Sequence, residues 1–242
     1  MEITSHNRKI NTKLKIAAFN GNEGAKIELF MEYFVVTKLH VLEPTKKQDQ
    51  QLAFEWYKKT ASQSDANSQY SLGYCYENEI GVVDVDKNKA FKWYEKSALQ
   101  GNVNAQFAIG SCYEKGIGVQ ENTKKAFEWY EKSALQGDAF AQLSIGSFYE
   151  EGKGVESDEK MAFLWYKKSA LQGIPESQFF LGCFYAIGIG IGVDEKEAFE
   201  WYKKAALQNE ADAQFLLGSC YENGNGVYVD QQKAFNWYQK AA

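Results

Sequence analysis

Apolar and polar positions alternate along this chain in two recurring helical registers. In the stretch AQFAIGSCYE, Ala105, Ile109, Cys112 and Tyr113 fall at i, i+4, i+7 and i+8, which places them on one face of a helix. In AFKWYEKSAL, Ala90, Tyr94 and Ala98 form a stripe with Phe91 beside it, while Lys and Glu fill the opposite side. Both patterns predict an amphipathic helix with one buried face. The charged side offers pairs at i, i+4, Glu128 with Lys132 and Glu200 with Lys204, each expected to contribute about 0.3 kcal/mol.

The second pattern returns from Ala53, Ala90, Ala126, Ala162, Ala198 and Ala234, at steps of 37, 36, 36, 36 and 36 residues. These copies hold all 6 tryptophans. Such a period marks an array of helix pairs, none of which can bury its apolar side alone, so the 242 residues are read as about six stacked modules. Three segments follow from this: residues 1–12 are a polar N-terminal stretch, residues 13–52 a worn module with an extended loop, and residues 53–242 the regular array. In the worn module Phe30 stands where a glycine is expected, and the surplus VVTKLHVLEP contains Pro44, which is expected to stop a helix.

Glycine recurs inside the first helix of each module, at Gly73, Gly110, Gly146, Gly182 and Gly218. Each placement costs about 1 kcal/mol against alanine, so a close approach is predicted, with the alanine that opens the second helix pressed against it. Trp93, Trp129, Trp165 and Trp201 join these glycines as expected structural positions. The loops GIGVQEN, GKGVESD, GIGIGVD and GNGVYVD follow a helix rather than a strand, so they are read as left-handed helix C-caps and not as phosphate cradles. The acidic residue closing the last three of them is expected to open the next helix. In the 37-residue module Glu79 replaces the first glycine.

The recurring pattern A..xLGxxYxxGxGV..D..kAfxWYxKAA resembles the Sel1-like repeat, a relative of tetratricopeptide arrays, over Lys13 to Ala242. The resemblance implies an all-α, right-handed α/α solenoid of about six helix pairs, with the LG helix lining a concave side. It also implies adaptor work, since members of that family serve in ER-associated degradation, chitin synthase regulation and signalling, some beside protein kinase domains.

Composition narrows the function further. With 27 basic and 32 acidic residues the formal charge is −5, which disfavours sequence-independent binding of nucleic acid or anionic lipid. The N-terminal MEITSHNRKINTK has no apolar signal core, and Leu29 to Val36 is interrupted by Glu32, so no membrane insertion is expected. Cys75, Cys112 and Cys220 share one repeat position and Cys183 lies one residue earlier; four reduced core thiols fit a cytoplasmic location.

Catalytic raw material is scarce. The 2 histidines, His6 and His40, lie outside the regular modules, so neither a HExxH site nor a Ser/His/Asp triad can be assembled within the array. Some bacterial relatives carry β-lactamase-like names, but the one SxxK match, Ser157 to Lys160, lies between helices without KTG or SDN, and no HRD or DFG occurs. The chain is therefore expected to be no enzyme, with no catalytic residue, cofactor or metal site.

Binding is the expected work, because a solenoid offers one helix per module to an extended surface. By analogy with tetratricopeptide arrays, Tyr70, Phe107, Leu143, Phe179 and Phe215 form one row and Glu77, Glu114, Glu150, Ala186 and Glu222 a second. These rows have two readings: aromatics packed between adjacent LG helices beside solvated glutamates, or an aromatic floor with an acidic rail for a peptide carrying apolar anchors and Lys or Arg. The functional expectation is a non-catalytic protein-interaction scaffold, and the alternative a regulatory module of a larger signalling enzyme. Because Lys240, Ala241 and Ala242 close the chain inside a WY-type helix, the C-terminal face is expected to dock another domain or chain, or to continue in a longer product.

Overall fold

A computed structural model describes residues 47–241, which form eleven α-helices and no strand among the described residues. The polar N-terminal stretch, the worn module up to residue 46, the stretch Leu29 to Val36, Pro44, His6 and His40 lie outside the described residues, while residues 47–52 open the first described helix. The chain divides into two compact units, one ending at Gln100 and one starting at Gly101.

The described part of the first unit contains α1 (Lys47–Ala61), α2 (Ala66–Glu77) and α3 (Lys87–Leu99). Ala53, Phe54, Tyr57 and Ala61 of α1 bury their stripe against Leu72 and Cys75 of α2. Asp65 and Asp86 cap α2 and α3, each accepting a hydrogen bond from the backbone N–H three residues on. Glu79 takes a left-handed φ of 58°, the conformation glycine supplies in the other modules.

The second unit contains α4 (Val103–Lys115), α5 (Thr123–Leu135), α6 (Ala139–Glu151), α7 (Glu159–Leu171), α8 (Pro175–Ile187), α9 (Glu195–Ala206), α10 (Ala211–Asn223) and α11 (Gln231–Ala241). Within it each helix packs chiefly on the helices before and after it in the chain, the nearest-neighbour stacking of a solenoid. The first helix of each pair (α4, α6, α8, α10) buries the stripe read from its sequence; in α4 this is Ala105, Ile109, Cys112 and Tyr113. The second helix (α5, α7, α9, α11) runs antiparallel to it. Its phenylalanine then bridges to the next module: Phe127 meets Tyr149 edge-on at 5.4 Å, Phe163 meets Tyr185 at 5.5 Å, and Phe199 meets Tyr221 at 5.4 Å. Burying each such ring contributes about 1.5 to 3 kcal/mol, and the edge-to-face geometry adds to it.

The two glycines of each GxG loop do different work. Gly116, Gly152, Gly188 and Gly224 are left-handed C-caps with φ of 65 to 83°. Gly154, the second glycine of its loop, has φ 67° and lies so near the preceding pair that a Cβ there would stand 2.5 Å from the Thr123 carbonyl oxygen. Gly190 repeats that approach on Glu159 and Gly226 on Glu195. In the first unit Gly81 repeats it on Gln50. The second glycine is thus where one module's loop touches the backbone opening the previous module's second helix.

Polar ties hold the pairs in register. The buried Ser133 hydroxyl donates to the Val103 carbonyl at 3.0 Å and Ser169 to Ala139 at 2.7 Å. Gln142, also buried, donates to the Ala134 carbonyl at 3.1 Å and accepts from Gln172 at 2.8 Å, so an interior amide closes the end of one helix and is closed by the next pair. Gln178, with Ala170 and Gln208, repeats the arrangement.

Candidate partner-binding face

The helical glycines position the face by admitting a tyrosine. A Cβ at Gly146 would lie 2.6 Å from Cδ1 of Tyr166, at Gly110 2.5 Å from Cδ1 of Tyr130, and at Gly182 2.6 Å from Cδ1 of Tyr202. Gly73 stands in the same relation to Tyr94 and Gly218 to Tyr238. The close approach expected from the sequence is present, but its nearest occupant is the tyrosine of the WY pair; at Gly73 and Gly218 the carbonyl of the opening alanine follows at 3.1 and 3.3 Å.

Each tyrosine, passing under its glycine, reaches the far end of the first helix. There Tyr130 donates to Glu114, Tyr166 to Glu150 and Tyr238 to Glu222, at 2.6, 2.6 and 2.7 Å; in the first unit Tyr94 donates to Glu77 at 2.6 Å. These are short hydrogen bonds to carboxylates. The glutamates of the second row are therefore fixed in place, half-buried at Glu77 and Glu114 and exposed at Glu150 and Glu222. In the α8–α9 pair Ala186 removes the acceptor, and the Tyr202 hydroxyl lies 3.6 Å from the Cys183 sulfur instead. Burial, and then the neighbouring acceptor, pushes the Tyr130, Tyr166 and Tyr202 hydroxyls well above the ordinary phenol range.

The aromatic row lies over the same tyrosines. Phe107 is 5.3 Å from Tyr130, Phe179 6.3 Å from Tyr202 and Phe215 5.2 Å from Tyr238; in the first unit Tyr70 is 5.6 Å from Tyr94. Phe107, Leu143, Phe179 and Tyr70 are half-buried, while Phe215 is 55% exposed. Each ring packs with one side on the tyrosine of its own helix pair and keeps surface in solvent, and Phe107 also meets Phe140 of the next first helix.

On α4, α6, α8 and α10 the positions i, i+3, i+7 and i+10 form one stripe. They read Asn104, Phe107, Ser111, Glu114; then Phe140, Leu143, Ser147, Glu150; then Glu176, Phe179, Cys183, Ala186; then Asp212, Phe215, Ser219, Glu222. Every one is half-buried or exposed. Five of them are carboxylates and none is Lys or Arg. Sequence reading named the aromatic and acidic rows but not the tyrosines that hold the glutamates, nor Phe140, Glu176 and Asp212 on the same stripe. Comparing the opening turn of each first helix would have exposed the last three.

Among the described residues the lysines lie on the second helices, apart from Lys115 at the end of α4 and Lys153 in the loop after α6. Lys132, Lys168, Lys204 and Lys240 lie over Trp129, Trp165, Trp201 and Trp237 at 3.6 to 4.0 Å from the ring centroid, and Lys96 over Trp93 at 4.2 Å. Trp165 and Trp201 are buried, Trp93 and Trp129 half-buried. The indole at i−3 thus receives the lysines expected to pair with Glu128 and Glu200, and Glu200 pairs with Lys203 at 3.9 Å instead.

Other candidate chemistry is structural in its placement. Cys75, Cys112 and Cys220 are buried thiols and Cys183 is half-buried. Ser157 is exposed in a loop with its hydroxyl on the Glu150 carbonyl at 3.3 Å. Among the described residues no group of His, Cys, Asp or Glu could hold a metal ion, and no helix is long and apolar enough to cross a membrane.

Comparison with known proteins agrees with this architecture. The Sel1 repeat family matches six times, at residues 43–65, 66–102, 103–138, 139–174, 175–210 and 211–242. No curated protein matches the chain. Among solved structures, a protective antigen present in uropathogenic Escherichia coli strains, displaying an SLR fold, is 32% identical with a TM-score of 0.80, over 95% of this chain and 48% of that one. The present chain thus spans about half the length of that antigen. A Sel1 repeat protein from Oxalobacter formigenes is 32% identical with a TM-score of 0.75, covering 81% of this chain and 79% of its own. An immunity protein from Pseudomonas aeruginosa, 17% identical with a TM-score of 0.51 over 88% of this chain and 78% of its own, shares the fold alone. Six repeat matches and two solved relatives of the same class establish that this chain belongs to the Sel1 repeat family.

Proposed function

We propose that this protein is a non-catalytic scaffold whose first-helix face in the second unit binds a peptide segment carrying apolar anchors and Lys or Arg. Sel1 repeats are in general protein-interaction modules, and the finer reading is supported by one observation above all: a stripe with five carboxylates, an aromatic row and no cation. Like charges concentrated on one face favour a partner of opposite sign and repel acidic competitors. The aromatic row supplies apolar area that a purely ionic contact lacks. Buried thiols at Cys75 and Cys220 fit work in a reducing, cytoplasmic compartment.

The test replaces Glu114 and Glu150 by glutamine, which keeps an oxygen acceptor for the Tyr130 and Tyr166 hydroxyls while removing both charges. Binding of a synthetic Lys/Leu amphipathic peptide, measured by fluorescence anisotropy, weakens in the double variant by about 1 to 2 kcal/mol, roughly five- to thirty-fold, and loses part of its salt dependence. An unchanged affinity, or equal binding of a Glu/Leu peptide by the wild type, contradicts the proposal.

A further inference from the structure

Phe140, in the first turn of α6, is 55% exposed. Asn104, Glu176 and Asp212 hold the same register on α4, α8 and α10. Three modules of the unit fold with a polar residue there, so the repeat has no need of an aromatic at this position. Its ring lies 6.5 Å from that of Phe107 and is inclined to it by 49°. Phe107 in turn lies on Tyr130, whose hydroxyl is held by Glu114. Aromatic surface therefore runs from an exposed ring at the opening of α6 to a carboxylate at the end of α4. A large apolar side chain exposed to water gains most when a partner covers it, and an interface draws most of its energy from a few such well-packed anchors ringed by contacts that exclude water.

We propose that Phe140 and Phe107 form the anchor point of the binding face and take one bulky aliphatic or aromatic side chain from a cationic segment. This rests on the reading given under Proposed function, and it adds the place and chemistry of the apolar anchor. The five carboxylates of the stripe commit the occupant to a basic peptide, and the two inclined rings commit it to a large apolar group next to its charges.

The experiment compares two labelled peptides by anisotropy: one of alternating Lys and Gly with a single central Trp, and the same peptide with Gly in place of Trp. Phe140→Asn installs the residue that Asn104 already supplies, and Phe107→Leu the residue that Leu143 supplies, so both keep a side chain the fold accepts; far-UV circular dichroism checks this. Either variant lowers affinity for the Trp peptide about tenfold and leaves the Gly peptide unchanged, whereas the Glu114→Gln, Glu150→Gln double variant weakens both. If the Trp peptide binds both aromatic variants as tightly as wild type while the glutamine variant weakens it, the anchor is overturned and the acidic face stands. If neither peptide binds wild type, the face and its anchor are both overturned.

Discussion

Replacing Gly146 by alanine sets two opposed effects against each other. Alanine is better than glycine in a helix interior by about 1 kcal/mol, so an exposed site would be stabilised. Here the new methyl would stand 2.6 Å from Cδ1 and 2.7 Å from Cε1 of Tyr166, so the ring must shift by about 1 Å to reach ordinary contact. That ring has nowhere to go: it is fully buried, stacked on Phe180 at 4.9 Å, set edge-on to Phe184 at 5.5 Å and tied to Glu150 by a 2.6 Å hydrogen bond. Overpacking costs about 1 to 3 kcal/mol and loss of the carboxylate hydrogen bond about 1.5 kcal/mol more. The net expectation is a destabilisation of about 2 kcal/mol, read as a lower urea midpoint by circular dichroism and a melting temperature about 4 to 8 °C lower. In a Tyr166→Leu background the same substitution finds room, and its cost falls below about 1 kcal/mol. A Gly146→Ala variant as stable as wild type, or an equal cost in both backgrounds, would refute the packing assigned to this glycine.

Three further outcomes follow from the geometry. Gly154→Ala is more destabilising than Gly152→Ala by about 1 to 3 kcal/mol in urea titrations, because both have positive φ but only Gly154 presses on backbone, at Thr123; equal costs would contradict this. Tyr130, Tyr166 and Tyr202 hold their protons more tightly folded than unfolded, so their contribution is complete below the ordinary phenol pKa of about 10 and is lost as pH rises above it, by up to about 4 kcal/mol per pH unit for the three together. Phenolate absorbance of these residues should therefore rise together with loss of helicity, and ionisation of buried tyrosines in a folded chain at pH 10 would oppose that sign. Burial pushes the Cys75 thiol up to about 12 and Cys220 up to about 11, so alkylation near neutrality is slow in the native protein and fast in urea; immediate native labelling of both would contradict their burial.

Much of the fold was legible because the repeat fixes periodicity and punctuation together. The buried stripe of α4, the left-handed caps at Gly116 and Gly152 and the capping aspartates Asp158 and Asp194 all follow from local spacing. What lay beyond the sequence depends on how antiparallel helices are offset. The Tyr166 ring fills the space at Gly146, and the Tyr130 hydroxyl reaches Glu114 across 16 residues, a pairing that no single-helix period reveals. Likewise Lys132 has both a carboxylate at i−4 and an indole at i−3 within reach, and in the folded helix it lies over Trp129. Phe140 was hidden for another reason: attention to what the modules share passes over the position where one module differs.

The division of labour between the acidic first-helix stripe and the lysine-bearing second helices is tested most directly by a zero-length cross-linking map. A Lys/Leu peptide joined to the protein with a carbodiimide and analysed by mass spectrometry should link its amines to Glu114, Glu150, Glu176, Asp212 and Glu222. Links concentrated instead on Glu128, Glu131 and Glu200 of the second helices would place the partner on the opposite layer and contradict the account.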